Sequence, residues 1–282
     1  MTDNIQNINY DIDKLPPMPL VATRMVELIN SSRTSADEMA KVISGDPAIS
    51  ARVLKIANSS FYSMARQVKT LQTAIVILGE RTLRSLVLAA SLRGMHGKFG
   101  DMEQMLWEDS MTCALGARFL ARSLRAVDPE EAFIAGLFRH IGRTIFNNQN
   151  PTAYRALVMQ QQRCGADLMA LEKEQFGINH AELGAATLRH WQLSDVISTV
   201  ALHHHDEALA EIPDPEARKM AAVVNIASEF PLILGIFGDY DEEIDLTELP
   251  GAKFLALDED RLQELLDEFT EVFESNRDDF LS

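Results

Sequence analysis

Six of the seven histidines in this chain lie after residue 139: His140, His180, His190, His203, His204 and His205. They fall in three patterns. "RHIGR" carries Arg139, His140 and Arg143; "NHAEL" carries His180 and Glu182; "ALHHHDE" carries His203 to Glu207. Neutral imidazoles and carboxylates brought together from adjacent helices are the donors a divalent transition metal takes. A metal-assisted phosphohydrolase needs more: a metal-held water as nucleophile and positive charge to meet the phosphate. Arg139 and Arg143 supply charge of that sign, so an anion site is a competing reading. The spacing leaves both open, because no short motif such as H-E-x-x-H fixes two ligands on one helix face. A structural role competes too. His203 to His205 fall near a helix C-terminus, where histidine suits the dipole and the free carbonyls.

The elements that must position these groups read as helices. "TSADEM" places Ser35 three residues before Glu38, a capping box. Asp46-Pro47, Asp128-Pro129 and Asp214-Pro215 each pair a capping acid with a proline suited to a first helical turn. Asn179 and Glu182 open another helix. "RHIGR" is placed inside the helix that starts at Pro129. The last segment carries Leu262, Leu265, Leu266, Phe269, Val272 and Phe273 at helical spacing, with acids opposite. Alternating strand patterns bounded by turn pairs are nearly absent. The expectation is an all-α fold of about a dozen helices. Gly94, Gly97 and Gly100 make the clearest break. The expected organisation is a tail at 1–14, an N-terminal helical part at 15–97, a second helical part at 98–236, and an acidic loop with a C-terminal helix at 237–282. Within the last part, 238–258 reads as a long loop. Phe61, Tyr62 and Met64 read as core anchors of a connection, with a partner surface as the alternative.

The chain has 282 residues and a formal net charge of −16. Such a surface repels nucleic-acid phosphates and anionic lipid, so neither nucleic acid nor membrane is an expected partner. Its two cysteines, Cys113 and Cys164, sit in helix-like stretches and read as buried thiols in a reducing compartment. The polar N-terminus lacks the layout of a signal peptide. No apolar run approaches the roughly 20 residues needed to cross a bilayer. The expected location is the cytoplasm.

From about residue 13 to 210 the chain resembles HDOD proteins, relatives of the HD and HD-GYP metal-dependent phosphohydrolases. The resemblance rests on "KLPPMP"; on "ISGDPAISARVLKIANSSFY" with Asp46, Pro47, Leu54, Ala57, Asn58, Ser59 and Tyr62; and on "LQTAIVILGERTLRSLVLAAS" with Ala74, Ile75, Leu78 and Gly79. "LWEDS", "AFIAGLFRHIGR", "HAELGAATLRHW" and the histidine run add to it. It implies a multi-helix fold in which an N-terminal helical subdomain packs on an HD-like subdomain. The acidic C-terminal helix lies beyond it.

Relatives that do chemistry show an H…HD…D pattern. Here Arg139 stands for the second His, His140 for its Asp, Asp109 for the first His, and Ser228 for the final Asp. His180, with His203 or His204, matches positions that supply further ligands in HD-GYP-like relatives. All four core positions therefore depart from the pattern. Arg139 is permanently charged and has no lone pair to give. Replacing the carboxylate at 140 removes the oxygen that would bridge two ions. The resemblance thus implies a degenerate pocket of Asp109, Arg139, His140, His180, His203, His204 and Ser228, with no catalytic residue and no expected cofactor. A divalent metal on Asp109, His140, His180 and His204 is the weaker alternative. Arg139 and Arg143 are the candidates for binding a small anion or nucleotide. The implied function is a non-catalytic bacterial signalling module that docks to signalling-protein partners and acts by shifting between helical arrangements. The alternative is a divergent metal-dependent phosphohydrolase or cyclic-dinucleotide phosphodiesterase.

Overall fold

The computed structural model describes residues 15–30, 35–59, 67–96, 100–236 and 244–281. Among them all regular structure is helical, as the sequence pattern implies. No helix among the described residues is long and apolar enough to cross a membrane. The 1–14 segment, Phe61, Tyr62, Met64 and Gly97 lie outside the described residues. The chain divides into two compact units, one of Met18–Met95 with Glu264–Ser282, the other of Met1–Pro17 with His96–Gln263.

The first unit holds α1 (Leu20–Asn30), α2 (Ala36–Ser44), α3 (Pro47–Ala57) and α4 (Leu71–Met95). α4 is kinked at Gly79 and runs through Gly94. Ser35 and Glu38 form the expected capping box on α2. The Asp46 carboxylate accepts from the Ala48 and Ile49 amides at the start of α3. α1, α2 and α3 each pack on α4, burying Met25, Met39, Ile43, Val53 and Leu86. Asn58 donates to the Val68 carbonyl and accepts from its amide at 2.8 and 2.7 Å.

The second unit builds on α5 (Asp101–Leu124), opened by Gly100, and α6 (Pro129–Phe138). They pack closely on one another. At Gly136 a Cβ would lie 2.9 Å from the Cys113 carbonyl oxygen, so the side-chain-free residue sets how near α6 comes. α7 (Ile141–Gln149), α8 (Pro151–Cys164), α9 (Leu168–Phe176), α10 (His180–His190), α11 (Asp195–His203) and α12 (Pro215–Ala227) follow, then α13 (Phe230–Ile233) and α14 (Pro250–Phe254). α10 packs on α7 and α11, and α12 packs on α5, α6 and α11. α15 (Glu259–Glu274) and α16 (Arg277–Leu281) end the chain, and from Glu264 onward they belong to the first unit; α15 buries Leu265, Phe269 and Phe273.

Three local expectations are corrected. "RHIGR" is not inside one helix: α6 ends at Phe138, and His140, at φ −104° and ψ 20°, caps α7. Consecutive residues of an unbroken helix point about 100° apart, and the break lets Arg139 and His140 reach one carboxylate. The 244–258 part of the supposed long loop contains a 3-10 turn, Leu246–Glu248, and α14, because Asp245 caps the turn and Ala252 is buried. Cys164 is exposed at the last turn of α8, whereas Cys113 is buried; burial pushes the Cys113 thiol up to about 11.

Candidate metal centre

Asp109, on the buried face of α5, is the hinge of the site. Its Oδ1 accepts from Arg139 Nη2 at 2.7 Å, and its Oδ2 accepts from His140 Nδ1 at 2.8 Å. The Arg139 side chain has no exposed surface. Its Nε donates to Ser228 Oγ at 2.9 Å, and Nη1 reaches the Asp109 and Gly136 carbonyls at 3.4 Å. Ser228 in turn donates to the Val224 carbonyl. Burial raises the nearby Glu229 carboxyl above its ordinary range, against the lowering effect of Arg139.

His180 enters from the first residue of α10. Gly142 permits this approach: a Cβ there would lie 2.1 Å from the His180 carbonyl oxygen. The expected capping box of Asn179 and Glu182 starts the helix. His180 donates through Nδ1 and through its backbone amide to Glu172 Oε2, both at 2.7 Å. The other oxygen of Glu172 accepts from Tyr154 at 2.9 Å, and Tyr154 accepts from Arg143 Nε at 3.1 Å. Burial alone would raise the Glu172 carboxyl; the bonds from His180 and Tyr154 outweigh it and hold the group below its usual range. Arg143 is buried in this network rather than pointing to solvent.

His204 caps the end of α11 and donates through Nδ1 to the Ala201 carbonyl at 2.9 Å. Asn225 of α12 holds the His204 carbonyl at 2.9 Å. His205, on the following turn, places its Nε2 3.4 Å from His140 Nε2 and 3.2 Å from His180 Nε2. The four rings pack with centroids 3.9 to 5.9 Å apart. One nitrogen from each of His140, His180, His204 and His205 lies within 4.8 Å of the other three.

The structure therefore brings together Asp109, Arg139, His140, His180, His204 and Ser228. It leaves out His203, whose Nδ1 pairs with Asp206, and adds His205, Glu172 and Tyr154. The HHH run flagged His205, but which of the three turns inward depends on where α11 stops. Glu172 and Tyr154 carry no local signal.

The protonation logic is strict. A carboxylate or a carbonyl only accepts, so the Nδ1 atoms of His140, His180 and His204 carry hydrogen. In a neutral ring that leaves the Nε2 lone pair. Burial holds His140 well below the ordinary histidine value, helped by the charges of Arg139 and Arg143. Burial does the same for His204, helped by His205, His180 and Arg139. These rings are neutral at pH 7 and available to ligate. His204 Nε2 is buried and has no partner among the described residues. That orphaned atom and an all-nitrogen donor set fit one transition-metal ion. They do not fit a carboxylate-bridged pair of ions, because Arg139 and His140 take both oxygens of Asp109.

A family model described as HDOD domain matches residues 15–207. The crystal structure of an HDOD domain protein of unknown function from Geobacter sulfurreducens aligns with a TM-score of 0.77 at 24% identity, over 95% of this chain and 94% of that one. A Shewanella amazonensis SB2B structure, whose name proposes a phosphohydrolase, aligns with a TM-score of 0.73 at 25% identity, over 96% and 95%. An uncharacterized protein of Treponema pallidum is 24% identical over 197 residues; the match takes in 69% of this chain and 38% of that protein. The chain thus spans well under half the length of that relative.

Proposed function

The chain belongs to the HDOD family, and from that premise we propose that it is a regulatory signalling module that acts by docking to a protein partner rather than by hydrolysing a phosphate ester. One observation carries the reading. The Arg139 guanidinium sits on Asp109 at 2.7 Å, where a metal-dependent phosphohydrolase needs an open cation site. A fixed cation there supplies no exchangeable position and no metal-held nucleophile. Both oxygens of Asp109 are engaged, by Arg139 and by His140, so bridging two ions would have to displace those bonds. A substrate phosphate would have to draw Arg139 away from a buried carboxylate and from Ser228. Signalling output is then a change in population between helical arrangements, biased by whatever binds.

A divergent phosphohydrolase is the second reading, favoured by the four facing imidazoles and by the name of the Shewanella relative. Tag-free protein is assayed with bis-p-nitrophenyl phosphate and with a cyclic dinucleotide, in the presence of manganese, iron or zinc. The expected result is no turnover above that of His140→Ala. Turnover that His140→Ala abolishes overturns the regulatory reading.

A further inference from the structure

The four Nε2 atoms pose a problem of unmatched lone pairs. His140 and His180 both direct theirs at His205 Nε2, at 3.4 and 3.2 Å. One imidazole nitrogen carries at most one hydrogen, so His205 satisfies at most one of the two. His204 Nε2 is buried with no partner. Buried polar atoms left in this state are costly, and they call for a binding partner.

The spacing identifies the partner. Four nitrogens about 2.0–2.1 Å from one tetrahedral ion lie about 3.3 Å from one another. The contacts of 3.2 and 3.4 Å match that edge length, and no separation in the group exceeds 4.8 Å. Three ligands are already oriented: His140 by Asp109, His180 by Glu172 and His204 by the Ala201 carbonyl. Such outer bonds fix the tautomer and raise the basicity of the ligating nitrogen. His205 differs. Its residue is exposed. It closes the site from the solvent side.

We propose that His140, His180, His204 and His205 bind one divalent transition-metal ion in a closed four-imidazole site, selecting zinc or cobalt over manganese and magnesium. The donor set is all nitrogen and uncharged, which suits the former pair and not the oxygen-seeking latter. The site holds a single ion, since Arg139 is bonded to the carboxylate that a second ion would need. With His205 in place no coordination position remains for substrate, so the ion is a structural or sensing element of the α6–α7, α10 and α11 junctions.

The test uses tag-free full-length protein, stripped with chelator and titrated separately with zinc, cobalt, manganese and magnesium. One zinc or cobalt per chain is expected to survive gel filtration. The cobalt form should show the strong visible absorption of four-coordinate cobalt, and manganese and magnesium should wash out. Glu172→Gln should weaken zinc binding by about 10–100-fold. His205→Ala, at an exposed position, should still bind cobalt but open one position. Its spectrum should then respond to azide, whereas the wild-type spectrum does not. Failure to retain zinc and cobalt overturns the proposal. So does retention that is unchanged in both His205→Ala and His204→Gln, or manganese held as tightly as zinc. The proposal stands apart from the regulatory reading: His140-dependent turnover would sink that reading alone, and absence of metal would sink this one alone.

Discussion

Asp109→Asn tests the centre of the site. The substitution keeps the shape of the side chain and removes the charge that both Arg139 and His140 face. The Arg139 and Asp109 side chains are 0% and 2% exposed and lie 2.7 Å apart. Removing one partner of such a pair leaves a buried charge unmatched, at a cost of about 3–5 kcal/mol. For a unit of this size each kcal/mol lowers the melting temperature by about 2–4 °C, so the expected drop is about 6–20 °C. Glu229, whose carboxyl burial pushes up, is the remaining acid that can ionise towards Arg139; it draws the loss to the lower end. Arg139→Met leaves Asp109 as the unmatched charge and should cost a similar amount. The double variant removes both charges, so its loss should fall short of the sum by about 2 kcal/mol or more. Both tryptophans, Trp107 and Trp191, lie in the unit that holds the site, so urea unfolding followed by tryptophan fluorescence reports that unit. If Asp109→Asn costs less than about 1 kcal/mol and the double variant is additive, the pair does not organise the site and the argument for a fixed cation fails.

Two further outcomes follow from the same geometry. Gly142→Ala puts a Cβ 2.1 Å from the His180 carbonyl oxygen, so α7 and α10 must separate; the cost is about 1–3 kcal/mol or more, and a melting temperature equal to wild type would contradict the close approach. In metal-free protein, desolvation holds His140, His204 and His205 neutral, with values well below normal, while the unfolded rings take up protons below about pH 6.5. The unfolded state then binds more protons, so stability falls as the pH falls, by about 4 kcal/mol for the three rings between pH 7 and 5.5. Urea midpoints in chelator check this, and His204→Gln should remove about a third of the slope; a midpoint that stays level or rises on acidification refutes neutral burial.

What the sequence makes legible is short-range. Ser35 with Glu38, Asp46-Pro47, Asp128-Pro129, Asn179 with Glu182, and Asp214-Pro215 each satisfy their own amides within three residues. No distant contact is needed to read them. The break at Arg139 and His140 is hidden, because the apolar pattern continues through Ile141 and the carboxylate that both residues reach, Asp109, lies about thirty positions earlier on α5. Glu172 is hidden for the same reason. It sits mid-helix in "LMALEKEQF" like any solvent-facing acid, and its burial comes from Tyr154 and His180. Cys164 errs the other way, since an apolar-looking residue in a helical stretch says nothing of which face it takes.

The exchange at 139 and 140 illustrates why motif loss and site loss differ. Read as a string, Arg139 and His140 stand where the resemblance implies a metal-binding His-Asp pair. In the fold they divide one carboxylate between them. Arg139 takes Oδ1 and satisfies the buried charge of Asp109. His140 takes Oδ2, which fixes its tautomer and turns its Nε2 towards His205. A permanent cation thus sits on the carboxylate, and the donors grouped beside it are all nitrogen. The two changes support each other. Without Arg139, Asp109 would carry unmatched charge towards the imidazoles; without His140, the guanidinium would be its only neighbour and the cluster would lose a donor. On the reading proposed above, the two residues work as a pair, Arg139 matching the charge of Asp109 and His140 supplying a donor, in a pocket for holding rather than for hydrolysis.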